Sequence, residues 1–501
     1  MVDCGAFEYF IRMAILSISN PEGAMNAENQ AIELVQDMLE RSVLHIEDSL
    51  RLIAGIRHLL SREYWSRVWI LQEIVLSRNA EVYYGKLKIG FAFLHAVTLY
   101  ISYMQSFLSR ELAGQLTAIL DSSTDGNYPP DCELKAQFDT LCSAEISPSA
   151  TFVAGMRRRY HNPDQEYEGV RPNLMWLLAR IRVGRAATDP RDRIWALLGI
   201  ATDAKVLGIV PNYAATNKCT AVYCSTTRAM IASGHLDILA FSQWSKSEAD
   251  VPSWVPDWRE EVKQPFGQLP WDTPYSASGS AAFQLQDHLD ETVPLSQLKI
   301  HGFVVDSVES LKPQCNKGEW LGMKHRHQAC TYLQDIMSLC QISNEKFEKS
   351  GVEIYSDPSL RETAYQRVPV VDLYRTGFVR RATPEECRLG HAEVVTDFIQ
   401  RQKNGPSAGA PITNTLKSYY NMMALQVERR PFVSLKGFVG LAPRHAQVGD
   451  VIVVFLGAKF PYLVRRCDDG MCVLVGEMFV HGIMYGEFMT GGLEMEEFIL
   501  K

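Results

Sequence analysis

A chain of 501 residues with 47% hydrophobic and 22% charged positions carries ample apolar material for a large core, which excludes general disorder. Its 50 basic residues against 58 acidic ones leave a formal net charge of -8. That balance gives no chain-wide attraction to phosphate backbones or anionic membranes, so no nucleic-acid partner is expected. At roughly 100–200 residues per domain the length implies two to four structural units.

The first twenty residues place Asp3 and Glu8 ahead of a short apolar run and have no basic region, which is not the pattern of a secretory signal. The apolar stretch from Phe91 to Leu108 is broken by His95, Thr98, Ser102, Gln105 and Ser106 and reads as a buried helix rather than a membrane span. Eleven cysteines with no CxxC pair fit free thiols in a reducing compartment, and a cytoplasmic location is expected.

Helical spacing runs from Asn26 to Val43 and again from Ile46 to Leu60, and Trp65 to Ser77 continues it through Trp69, Glu73 and Leu76. The short β-prone EVYYG at Glu81 to Gly85 predicts a strand behind that helix. DSSTDGNYPP at Asp121 to Pro130 and the polar stretch Thr151 to Pro172 read as surface connections. A helix is expected over Pro172 to Ile181, followed by ATDPRDRIWALLGIA. There Asp189 suits an N-cap, Pro190 the first helical position, Asp192 the positive helix end and Gly199 the close. Lys218 to Ser233 predicts a further helix, and Ser245 to Ser296, rich in Pro, Ser, Gly and Gln, an irregular wrap.

Regular β-structure is expected from Leu298, with Ile300, Gly302 and Val304 on one face and Lys299, His301 and Phe303 on the other. A helical insertion over about 316–428 interrupts it. The last ~70 residues read as a β-meander with a hairpin turn at Asp468-Asp469-Gly470, a pattern that closes into a small barrel or sandwich. Arg429-Arg430 and Arg465-Arg466 are expected as exposed strand-end charges. Gly440, Gly449, Asp450, Gly476, Gly482 and Gly486 are expected as turn formers.

Three stretches together carry a family resemblance. They are REYWSRVWILQEIVLSRNAEVYYG from Arg62 to Gly85; ATDPRDRIWALLGIATD from Ala187 to Asp203, with PNY at Pro211 and PSWVPDW at Pro252; and Gly437 to Glu487 with its GDVIVVFLG, VLVGE and HGIMYGE. In order and spacing the chain resembles the fungal heterokaryon incompatibility (HET) domain proteins. The family's opening aromatic-Ser-Tyr-x-Trp-Gly strand and its Trp-Ile-Asp-x-x-x-Ile-Asn-Gln segment are not in this sequence. MAILSISNPEG at Met13 looks like a degraded version of the strand and loop that come next in the family, so the early part of the domain is expected to be missing.

The resemblance implies a mixed fold, α+β in class. Residues 1–90 would be a remnant of a TIR/flavodoxin-like HET domain, 91–290 a mainly helical middle region, and 291–501 a β-rich, barrel-like module with the helical insertion. It implies a role in non-self recognition and programmed cell death, with other proteins, related HET proteins or a second copy as partners. Some TIR-type relatives hydrolyse NAD through one helical glutamate held by a Trp-Cys-x-x-Glu pattern. Trp69-Ile70-Leu71-Gln72-Glu73 has the same Trp-to-Glu spacing, so a catalytic role carries over to Glu73 alone, with Trp69 beside the nucleotide and NAD as substrate rather than cofactor. A carboxylate there stabilises the oxocarbenium character that develops when the ribose–nicotinamide bond breaks.

Rival readings accompany this one. Glu73 pairing with Arg67 or Arg78 orients the helix and nothing more, and a degenerate member serves only as an inactive interaction partner. His325-x-His327-x-x-Cys330 lacks zinc spacing and reads as a solvated helix face, so no metal is expected. Asp189, Arg191 and Asp192 read as helix-start residues with a local ion pair. No GxGxxG, P-loop or G-x-S-x-G occurs, which argues against standard dinucleotide, NTP and hydrolase sites.

Overall fold

The computed structural model describes residues 58–84, 87–90, 148–161, 172–181, 185–242, 250–263, 273–280, 293–314, 326–375, 379–404, 413–490 and 492–501, with a few positions between them. The expected helix over Asn26 to Val43, the MAILSISNPEG segment, the loop at Asp121 and the side chains of His325, His327 and Cys330 lie outside the described residues. The chain divides into two compact units between Thr202 and Asp203. Helices and strands both contribute, as the mixed class requires.

In the first unit, helix α1 (Ile70–Leu76) buries Ile70, Leu71, Ile74 and Val75 and leaves Glu73 exposed. EVYY forms strand β1 (Glu81–Tyr84), which pairs antiparallel with β2 (Leu87–Gly90) as a hairpin. Helix α2 (Pro148–His161) occupies much of the stretch expected as a loop. Its buried Ala150, Val153 and Ala154 follow helical spacing, but the position that would continue the stripe is Arg157. Helix α3 (Leu174–Ile181) is buried along nearly its whole length.

The DPRDRIW helix is shorter than its signals imply. Only Asp192–Trp195 (α4) is helical, and turns continue to Ile200. Asp189 folds onto the chain as an Asx turn instead, its Oδ1 accepting the Arg191 N–H at 3.0 Å. Gly199 does not end a helix: a Cβ there would lie 2.8 Å from the Gln72 side chain.

The second unit contains helix α5 (Cys219–Ala232) and an eight-stranded sheet. Its longest strand is β3 (Leu298–Leu311). After it come helices α6 (Arg326–Ser350) and α7 (Ser359–Arg367), the hairpin of β4 (Leu373–Arg375) with β5 (Val379–Arg381), and helices α8 (Pro384–Asn404) and α9 (Asn414–Ala424). The remaining strands are β6 (Arg430–Ser434), β7 (Val439–Ala442), β8 (Val451–Phe455), β9 (Tyr462–Arg466), β10 (Cys472–Glu477), β11 (Phe479–Val480) and β12 (Glu496–Leu500).

Strand β3 is antiparallel to β6, β8 and β12, and the pairings β3–β12–β10–β9–β8 return to β3. The hairpin turn at Gly470 is as expected, with φ 79° and the Cys467 N–H bonded to the Met471 carbonyl at 2.9 Å. Cys472 lies opposite Arg466, and the thiols of Cys467 and Cys472 form no disulfide.

Leu298, Ile300 and Gly302 of β3 face inward as expected, but Val304 is 37% exposed while Val305 is fully buried. The register against β8 shifts between Val304 and Asp306, and this bulge turns Val305 inward, after which Asp306 and Val308 are buried again. At Gly302 the strands come so close that a Cβ would lie 2.8 Å from the Val454 carbonyl oxygen, so only glycine fits.

Candidate functional site

The two motif segments of the first unit meet through both backbone and side chains. Arg67 and Ala186 form a parallel bridge, with the Val68 N–H on the Ala186 carbonyl at 3.0 Å and the Ala186 N–H on the Ser66 carbonyl at 2.6 Å. Trp69 stands at the start of α1. Its indole N–H donates to Asp192 Oδ2 at 2.9 Å, and Asp192 is only 8% exposed. Gln72, one turn on, points its amide at the Trp195 carbonyl at 3.4 Å. Arg191 forms a forked ion pair with Asp189 and lies 5.2 Å from the Trp195 ring.

Arg185 is nearly buried, and loss of hydration lowers its pKa to about 10. Its guanidinium donates to the Trp65 carbonyl at 3.2 Å and the Arg67 carbonyl at 3.5 Å, holding the chain just ahead of α1. Arg157 of α2 closes the other end of α1. Its guanidinium donates to the carbonyls of Ile74 (2.6 Å), Ser77 (2.5 Å) and Arg78 (3.0 Å), and His161 meets the Val75 carbonyl at 2.9 Å. A cation at a helix C-terminus satisfies the last carbonyls and complements the negative end of the dipole.

Glu73 lies on the exposed face of this doubly anchored helix. Its Oε2 accepts the Tyr64 hydroxyl at 3.4 Å, and among the described residues it pairs with neither Arg67 nor Arg78. The Tyr64 pKa is raised, first by burial and then by the negative charge of Glu73. The structure therefore brings Trp69 and Glu73 onto one short helix but turns them to different surroundings: Trp69 is half-buried against Asp192, and Glu73 faces solvent. No local pattern singles out the fixing residues Arg157 and Arg185, and Asp192 reads in sequence as a helix-end charge. An arginine replacing an apolar residue in a helical stripe is the available signal for Arg157.

In the second unit, the PSWVPDW segment is part of the sheet's structure. The Ser253 hydroxyl bonds to the Lys501 carbonyl and accepts the Leu474 N–H at 2.9 Å, tying that segment to β10 and to the residue after β12. The expected strand-end arginines differ among themselves. Arg429 is buried against Glu477, Arg465 forks onto buried Asp450 at 2.7 and 2.9 Å, Arg430 donates to the Lys312 and Ala446 carbonyls, and Arg466 is exposed in a pair with Glu496.

Residues 411–501 match the Het-6 beta-barrel domain family. The chain is 25% identical over 398 residues to heterokaryon incompatibility protein 6, OR allele, of Neurospora crassa, a match covering 70% of this chain and 57% of that protein. The chain is similar to a heterokaryon incompatibility protein over most of its length. Seventy per cent of the chain is more residues than lie between Asp203 and Lys501, so the likeness reaches into the first unit. The matched part spans a little over half the length of the Neurospora relative. No solved structure matches.

The 411–501 segment supplies every strand of the eight-stranded sheet except β3. Among the described residues, no helix is long and apolar enough to cross a membrane and no group of His, Cys, Asp and Glu side chains is arranged to hold a metal.

Proposed function

We propose that this chain acts in fungal heterokaryon incompatibility, in the step by which non-self recognition leads to programmed cell death. The supporting observation is the likeness to heterokaryon incompatibility protein 6, which extends well beyond the β-rich module. In this reading the first unit is the effector part and the second is the interacting or regulatory part. The partners are other proteins of the cytoplasm, related HET proteins or a second copy of the chain.

Within the effector part we assign the working surface to the exposed face of α1. Glu73 is its proposed functional carboxylate and Trp69 its positioning residue. The anchoring of that helix by Asp192, Arg185 and Arg157 supports this assignment, because a functional carboxylate needs a rigid carrier.

Induced expression in a filamentous fungus tests both parts. Growth arrest with the wild-type chain that is relieved by Glu73→Ala, at equal protein level, is the expected result. Arrest that persists in Glu73→Ala would move the function away from α1, and no arrest at any level would mark the chain as an inactive partner. NAD content measured in the same cultures and with purified protein decides whether NAD is consumed, with Glu73→Ala as the control.

A further inference from the structure

Among the described residues, four that are not glycine have positive φ: Phe266 (47°), Val371 (49°), Asp372 (56°) and Glu428 (70°). All four border one cluster in the second unit. The Val371 carbonyl accepts the Tyr275 hydroxyl at 2.5 Å, and the Phe266 ring stands edge-on to Tyr275 at 5.8 Å. Arg429, next to Glu428, covers Phe266 at 4.0 Å and pairs with Glu477. Asp372 is bracketed by Arg367 and Arg381, and Arg381 lies 3.8 Å from the Tyr485 ring.

Two consecutive left-handed residues, one of them β-branched, are unfavourable for L-amino acids, and such strain persists only where the surroundings enforce it. The ion pairs add to the opposition: Asp372, Arg367, Arg429 and Glu477 are all at most 8% exposed, and burying charge offsets most of what the pairing contributes. Arg367 Nε, Gln426 Oε1 and the Tyr485 hydroxyl are buried without a hydrogen-bond partner.

The residues between β3 and β6, with α6 to α9 and the β4–β5 hairpin, hang from two neighbouring strand ends, since Leu311 pairs with Phe432. Among the described residues this insertion is held to the sheet module by ion pairs of Lys346 with Glu309, Lys312 with Asp335 and Arg381 with Glu487, and by specific polar and ring contacts. Ser343 Oγ donates to the Gly437 carbonyl at 2.6 Å, His481 Nε2 donates to the Leu360 carbonyl at 2.8 Å, and the Tyr355 ring packs on Phe438 and His481. Swinging it away would leave every strand pairing of the sheet intact.

We propose that the insertion is a strained latch, docked on the sheet through the Tyr275–Val371 and Arg429–Glu477 contacts, which opens as one unit while the sheet stays folded. Opening lets Val371, Asp372 and Glu428 leave the left-handed region, hydrates the buried charges and bares Phe438, His481 and Gly482. Closure rests on burial of Tyr355 and Leu360 in the sheet's apolar cluster. The fold thus contains two states of the module separated by less than its global stability.

Hydrogen exchange followed by mass spectrometry on the full chain tests this. Amides of α6, α7 and α9 are expected to exchange together and at least tenfold faster than those of β8, β9 and β10. Tyr275→Phe, which removes one hydroxyl, should speed the helical amides about tenfold and leave the sheet unchanged. Glu428→Gly, compared with Glu428→Ala, which loses the same ion pair with Lys263 but keeps the left-handed strain, should slow them several-fold. Helical and sheet amides that open with equal free energy, or a Tyr275→Phe effect equal on both sets, would overturn the latch. Helical exchange in Glu428→Gly no slower than in Glu428→Ala would overturn the part assigned to strain.

Discussion

The Trp69 indole N–H and the Asp192 carboxylate meet at 2.9 Å across 123 positions of sequence, which makes them the side-chain lock between the two motif segments of the first unit. Asp192 is buried and Trp69 half-buried, so water competes only partly for this bond. Asp192→Ala leaves the indole donor unpaired and should destabilise the unit by about 1–3 kcal/mol. Asp192→Asn keeps an acceptor and should recover part of that loss. Thermal melts of the two single variants, of Trp69→Phe and of the double variant give the coupling. Additive effects would mean that the bond is incidental.

Arg157 closes the C-terminal end of α1 through three carbonyls at once. Arg157→Met keeps the aliphatic stem and strands those oxygens, for an expected loss of about 1–3 kcal/mol. Lysine cannot reproduce the planar fork, so Arg157→Lys should fall nearer to Met than to wild type. If Lys proves as stable as Arg, charge at the helix end rather than the fork is what matters.

The family-matched segment 411–501 should not fold by itself. Without β3, strands β6, β8 and β12 each lose a partner and expose apolar faces. A fragment running from Asp203 to Lys501 restores β3 and the Ser253 tie and should give a cooperative melt. Dispersed amide signals from 411–501 alone would contradict the central role given to β3.

His481 is fully enclosed, and burial lowers its pKa to about 4, with Arg367 and Arg381 pushing in the same direction against its bond to the Leu360 carbonyl. An unfolded histidine takes up its proton near pH ~6.5. Between pH ~6.5 and about 4 the unfolded chain therefore binds the extra proton, so stability is level above that window and falls as pH drops through it. The loss from this group is on the order of 3 kcal/mol at most. Buried His391, also lowered by burial, adds to the fall, whereas Asp372, raised by burial, opposes it. Denaturant midpoints of His481→Phe should decline less steeply over this range than those of wild type; equal slopes would assign the acid sensitivity elsewhere.

Gly482 has φ 80°, and a Cβ there would lie 2.5 Å from the Tyr355 ring. Gly482→Ala combines that clash with a left-handed alanine and should destabilise the module by about 2 kcal/mol or more. Adding Tyr355→Ala should relieve the clash and leave only the backbone share. A melt of the pair no better than the sum of the singles would deny that the ring is the cause.

Local pattern carried much of the fold. Alternation at Leu298, Ile300 and Gly302 marks β3, and the turn residues around Gly470 mark the β9–β10 hairpin, because both signals are written within a few residues. Val305 takes the buried place expected for Val304 because a bulge is decided by the partner strand, not by the residues that bulge. Helix α2 is hidden because Arg157 breaks its apolar stripe for a purpose 80 positions away in sequence. Arg429 looks like a surface charge because Glu477, which permits its burial, lies 48 positions further on. In the candidate site, the helix with Trp69 and Glu73 is legible from the motif, while Asp192, Arg185 and Arg157 act through contacts that no local pattern encodes.

The place of β3 has a temporal side as well. Its end, Leu311, is 119 positions ahead of Arg430, the first residue of β6, and β8 and β12 come later still. At ~5–20 residues per second of synthesis, β3 waits on the order of 10 seconds for its first sheet neighbour. For that interval a fourteen-residue strand with open edges exists in the nascent chain, the kind of segment that invites pairing with other chains. The insertion that separates β3 from β6 thus sets a delay in assembly during which the β3 segment is open to pairing with other chains.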